Sequence, residues 1–172
     1  PAKAQAHEQS LREAFDEAIR HKGFLLLTAG FFVCGFHIAF VATHLPAYIG
    51  GLGLPAYVGA TALSLVGLFN VFGAFACGWA GGRVRKKHLL SSLYLARAVA
   101  IAAMLAAPKT ELTVYLFAAA FGLMWLGTVP LTSGLVGQIF GARYLATLFG
   151  MVMLSHQVGA FFGAWLGGLL YD

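Results

Sequence analysis

The sequence predicts an all-α, polytopic transmembrane helix bundle. Three observations carry that reading. Hydrophobic residues fill 60% of the 172 positions and charged residues only 10%, where a soluble domain carries about 25% charge. The apolar residues gather into five long runs, each with the roughly 20 residues a helix needs to cross the hydrocarbon core. Glycine occurs 22 times, and glycine is more frequent in membrane helices than in soluble ones.

Residues 1–22 precede the first run and are polar. Ser10 followed by Glu13 is a capping-box signature for a helix start. Leu11, Phe15, Ala18 and Ile19 share one helical face, and Glu8–Arg12 and Asp16–Arg20 are favourable i,i+4 pairs. This predicts a short cytoplasmic amphipathic helix, lying on the membrane surface or serving as a helical linker. The transmembrane bundle is expected over 23–172, with spans at about 24–45, 54–80, 88–107, 112–138 and 144–171. The breaks between them carry Gly and Pro turn chemistry, in "LPAYIGGLGLP", "GGRVRKK", "PKTE" and "FGAR".

The net charge of +5 raises nucleic acid as a partner, but the basic residues sit in short clusters between apolar runs. That distribution is a topology signal and predicts no nucleic-acid partner. Lys3, Arg12, Arg20, Lys22, Arg83, Arg85, Lys86, Lys87 and Arg143 fall on one side and Lys109 on the other. The positive-inside rule then places the N-terminus in the cytoplasm. The expected location is a bacterial inner (plasma) membrane, with the lipid bilayer as solvent. The start at Pro1 and the odd number of spans suggest a piece of a longer protein.

Each run carries polar groups well inside it. Arg97 is the sharpest, about ten residues from either end of the third run, or roughly 13–15 Å of helix. Snorkelling serves residues near helix ends, so Arg97 must face a bundle interior, a water-filled cavity or an anion. The alternatives are a functional charge and an arginine that locks packing through neighbouring carbonyls. His37 lies in the first run, Asn70 in the second, Trp125 and Thr128 in the fourth, His156 and Gln157 in the fifth. Together they read as a substrate site near the bilayer midplane: Arg97, Asn70, Thr128, His37 and Gln157 as ligands, His37 or His156 as proton relay. His44, before Pro46, reads as a residue of the outer mouth.

Pro130, within "GTVPLTSGLVGQ", is expected to kink or break its helix, as a gating bend or a static one. Gly159, Gly163 and Gly167 recur every four residues, a small-xxx-small stripe for close helix packing. Cys34 and Cys77 read as small packing residues. No metal-ligand cluster, nucleophile motif or phosphate loop is present, so no metal, no cofactor and no enzymatic activity are expected. No acidic residue lies inside any run, which excludes carboxylate-based proton coupling from this segment.

"GWAGGRVRKK" (78–87) resembles the cytoplasmic loop motif of the major facilitator superfamily. Gly78, Arg83, Lys86 and Lys87 match; Gly82 stands at the aspartate position and Arg85 at the second glycine. "GFHIAFVATHLPAYI" and "LSLVGLFNVFGAFACGWAGG" look most like the monocarboxylate and oxalate–formate porter group. Asn70 and Ala74 stand where monocarboxylate porters carry an aspartate and an arginine. The resemblance implies the C-terminal half of such a transporter, helices seven to eleven, working with a missing N-terminal half. It also implies a small organic anion as cargo, a monocarboxylate, moved by alternating access. A haem-bearing redox subunit, with His37 and His156 as ligands, and a non-transporting structural or sensor subunit are the rival readings.

Overall fold

The computed structural model describes residues 9–171, and every regular element among them is helical. The expectations that involve Lys3, Glu8 and Asp172 lie outside the described residues. Helix α1 (Leu11–Arg20) starts where the capping box places it. The Ser10 hydroxyl accepts from the Glu13 amide at 3.3 Å, and the Glu13 carboxylate accepts from the Ser10 amide at 2.7 Å. Its amphipathic face divides. Ala14 and Ala18 are buried in the protein, whereas Leu11, Phe15 and Ile19 stay exposed.

Among the described residues, five segments are long and apolar enough to cross a membrane. Helix α2 (Lys22–Gly51) is longer than the predicted first span, because it runs through Pro46 to a turn at Leu52–Pro55. A proline inside a membrane helix is tolerated where neighbours cover the freed carbonyl, and Gly59 of the next helix packs directly on Pro46. Gly53, with φ +76°, makes the turn. Helix α3 (Ala56–Gly81) and helix α4 (Lys86–Ala106) follow. Lys109 caps the end of α4, donating to the carbonyls of Met104, Leu105 and Ala107 at 2.7, 2.7 and 2.9 Å.

The fourth span is not one helix. It is built of α5 (Glu111–Leu123) and α6 (Thr128–Phe140), separated by an interruption at Met124–Gly127. Pro130 does not sit at the interruption but in the first turn of α6. There a missing amide costs nothing, since the first-turn amides have no partner within the helix. In a continuous helix its ring would collide with the carbonyl of Leu126, a clash that the break avoids. Helix α7 (Leu145–Tyr171) forms the last span.

The packing pairs α2 with α7 and α3 with α5, while α4 lies along α5 and α6. The first two seams are made by glycines. A Cβ on Gly35 would strike the His156 carbonyl, one on Gly159 the Phe32 carbonyl and one on Gly163 the Phe36 carbonyl. Gly73 meets the Leu123 carbonyl and Gly122 the Val66 carbonyl in the same way. Lipid tails are as apolar as leucine, so close backbone approach, not removal of apolar surface from water, drives such association. The outward faces keep large apolar side chains: Leu26, Phe75 and Leu170 are 74%, 77% and 84% exposed.

Candidate functional site: the broken fourth span

An interrupted membrane helix leaves peptide groups without partners, and each costs several kcal/mol in hydrocarbon unless the protein satisfies it. Here side chains from two other helices do so. Arg97, on α4 and 0% exposed, donates through Nη2 to the Met124 carbonyl and, at 3.2 Å, to the Trp125 carbonyl. These carbonyls lie just past the C-terminus of α5, at the negative end of its dipole, which favours a cation. From the other side, Asn70 on α3 accepts the Leu126 amide on its Oδ1 at 2.9 Å. Arg97 is thus buried among the carbonyls of the break, with its guanidinium closed against them.

The other guanidinium nitrogen, Nη1, donates to the Cys34 sulfur on α2 at 3.2 Å. The Thr128 hydroxyl lies 3.4 Å from the same sulfur and 3.5 Å from the Trp125 carbonyl. Thr128, Cys34 and Arg97 are all fully buried. The rings of Tyr94 and Phe121 flank the guanidinium, with centroids 5.8 and 5.6 Å from its carbon, which adds cation–π stabilisation in a dry setting. Arg97 Nε, Thr132 Oγ1 and the Tyr94 hydroxyl are buried without a hydrogen-bond partner.

The cluster gathers three of the five residues expected to bind substrate, Arg97, Asn70 and Thr128. The other two lie elsewhere. His37 is half-buried with an unpartnered Nδ1 and lines an apolar cavity of about 300 Å³ with Phe40, His44, Met104, Phe117 and Gly167. Gln157 is exposed, its Oε1 3.3 Å from His156 Nδ1. The His156 ring packs on Phe31, centroids 4.9 Å apart. His44 Nε2 lies 3.0 Å from the Ala164 carbonyl, and its ring fills the space beside Gly167. Gly159, Gly163 and Gly167 thus all face α2.

At the loop motif, the Arg83 guanidinium stacks 3.9 Å above the Trp79 ring and Nη1 donates to the Trp79 carbonyl at 3.4 Å. The stem of Lys86 fills the space over Gly134, tying the start of α4 to α6. Lys87 borders a second cavity, with Gly30, Ser91 and Tyr94 among its walls. Gly78 has open space where a Cβ would stand. Among the described residues, no three His, Cys, Asp or Glu side chains converge to hold a metal ion.

Cys34 is the site residue that sequence reasoning missed. A cysteine inside an apolar run gives no signal beyond packing; only the arrival of Arg97 and Thr128 from other helices marks it.

The Major Facilitator Superfamily model matches residues 1–164. The chain belongs to the Major Facilitator Superfamily. One curated relative is the "Uncharacterized MFS-type transporter YcxA" of Bacillus subtilis (strain 168), 25% identical over 152 residues. That match takes in 86% of this chain and 37% of the relative, so the chain spans well under half of its length. Superfamily membership and five apolar spans make this an integral membrane protein. The superfamily is one of transporters, not enzymes.

Proposed function

We propose that the chain is the C-terminal half of a secondary active transporter that moves a small organic anion, a monocarboxylate, by alternating access. It would work with an N-terminal half, in a bacterial inner membrane, with its N-terminus in the cytoplasm. The observation that carries the reading is the Arg97 cation at the broken fourth span. Among the described residues, no carboxylate lies in a span away from its ends. Discontinuous membrane helices are where transporters of several folds place substrate, and an intramembrane charge marks a substrate or ion pathway by default.

In the described conformation the guanidinium is closed against neutral carbonyls. An anionic carboxylate forms charge-assisted, bidentate bonds about twice as strong as those to neutral acceptors. Opening of the break would let the anion replace the Met124 and Trp125 carbonyls on Arg97. Thr128 and the Asn70 amide stand beside that position; His37 and Gln157, which lie elsewhere in this conformation, would join it only if the helices rearrange on opening. Lactate uptake into vesicles containing the full-length protein is the test. Arg97→Ala should abolish uptake; unchanged uptake would remove the anion-binding claim. Accessibility of Lys87→Cys and Lys109→Cys to an impermeant maleimide tests orientation, with Lys109→Cys expected to label from outside.

A further inference from the structure

The second cavity, bordered by Lys87, has a volume of about 540 Å³, within the range of ligand sites. Leu26, Leu27 and Gly30 of α2 form one wall, Leu90 and Tyr94 of α4 another, and Leu135 of α6 the back. From Lys87 to Tyr94 is two turns of α4, so the cavity runs about 10 Å inward from the basic end of the spans. Gly30 keeps it open. A Cβ there would lie 3.8 Å from the Tyr94 ring, an ordinary contact with no backbone in the way. Gly35, Gly159 and Gly163 are required by the carbonyls packed on them; Gly30 is not, and its missing side chain is space left to the cavity. The Tyr94 hydroxyl is buried, so this residue presents its ring to the cavity. The Ser91 hydroxyl is bonded to the Lys87 carbonyl at 2.9 Å. The interior is thus apolar and the entrance cationic.

The entrance carries more than one charge. Lys87 is exposed, as are Arg85 and Lys22, the neighbour of Gly23 in the cavity wall. Among the described residues none of these three cations is engaged in an ion pair, and residues 22–51, 82–110 and 128–140 contain no carboxylate that could reach them. The cavity also opens sideways, since its wall residue Leu26 is 74% exposed on a helix long and apolar enough to cross a membrane. Basic pockets between membrane helices at the membrane surface take anionic lipid head groups.

We propose that this cavity binds one anionic phospholipid, with the head-group phosphate on Lys87 and an acyl chain between α2 and α4 ending against Tyr94. Both halves of the lipid are needed for the match. A free anion would gain nothing from the apolar walls, and a lipid without net charge would leave the cations at the entrance uncompensated. The stem of Lys87 can lie along the apolar wall while its ammonium stays at the head-group level. The Tyr94 ring also flanks Arg97, its centroid 5.8 Å from the guanidinium carbon. It therefore stands between the acyl chain and that cation, and the lipid leaves the partners of Arg97 in place. The lipid site is separate from the proposed anion site and does not depend on what the transporter carries.

The test titrates delipidated full-length protein with phosphatidylglycerol or phosphatidylcholine, followed by native mass spectrometry. One phosphatidylglycerol should be held about fivefold or more tighter than phosphatidylcholine, as expected for one or more lysines at a head group. Lys87→Gln should remove that preference. Gly30→Leu, which fills the inner end of the cavity and leaves Lys87 in place, should lose the tightly held lipid. Phosphatidylglycerol with a photoreactive acyl chain should crosslink to residues 26–30 and 90–94. Equal retention of the two lipids by the wild type, or a preference that survives both variants, overturns the proposal. Displacement of the lipid by inorganic phosphate would show recognition of a free anion. Absence of crosslinks in the two segments would show a cavity filled by protein. Either result also overturns the proposal, and both arms use the wild type, so neither depends on a variant folding.

Discussion

Arg97 and Asn70 hold the same helix break from opposite sides. The arginine takes the carbonyls of Met124 and Trp125 and the asparagine takes the Leu126 amide. Neither touches the other, and they come from different helices, α4 and α3. Removing Arg97 leaves buried carbonyls unpaired, at about 1–3 kcal/mol each. Arg97→Ala should therefore lower the thermal stability of the detergent-solubilised protein markedly. Arg97→Lys should recover only part of it, because a point charge cannot reproduce the fork that reaches carbonyl and sulfur together. Equal melting of the alanine variant and the wild type would contradict the staple.

Asn70 allows a cleaner comparison, since it contributes an acceptor to one peptide group. Asn70→Ala should cost about 1–3 kcal/mol and speed hydrogen exchange at Leu126 specifically. Asn70→Asp keeps an acceptor oxygen and should preserve slow exchange there. Equal exchange rates in both variants would mean that the amide is satisfied in another way.

Pro130 separates cause from consequence at the break. In the first turn of α6 its ring constrains φ but no helical hydrogen bond is lost. With Arg97 and Asn70 still in place, Pro130→Ala should change stability by less than about 1 kcal/mol and leave Leu126 exchange unchanged. A large destabilisation, or a lengthened continuous helix by spin-label distances across 120–134, would show that the proline, not the staple, makes the interruption.

The α2–α7 seam predicts a sharp positional contrast. Gly159→Ala and Gly163→Ala each place a methyl group against a backbone carbonyl, of Phe32 and Phe36. Backbone cannot rotate away as a side chain does, so each should destabilise by about 1–3 kcal/mol. Gly168→Ala, with nothing within 4 Å, should be neutral. Thermal melting of the three variants side by side checks this.

The bundle was legible because hydropathy, length and the polar breaks all reflect one constraint, that backbone groups in lipid must be satisfied within a helix. The departures occur where that satisfaction comes from another helix. Pro46 reads as a terminator, yet α2 continues through it because Gly59 lets α3 cover the gap. The fourth run reads as a single helix, yet it is broken one turn before Pro130, because what stabilises the break is supplied by Arg97 and Asn70, distant in sequence. Depth alone brought Arg97, Asn70 and Thr128 under suspicion together, and the fold does bring them together. Depth could not separate His37 and Gln157 from them, since that depends on rotation about each helix axis. Cys34 had the depth, at the middle of the first run, but no polarity to distinguish it.

The α2–α7 seam carries a mechanical corollary. Peptide rests on peptide along it, at Gly35, Gly159 and Gly163, with no intervening side chain whose torsions can yield. Two helices joined this way bend and tilt as one strut. Any tilt of α2 between Phe32 and Phe36 therefore carries α7 with it.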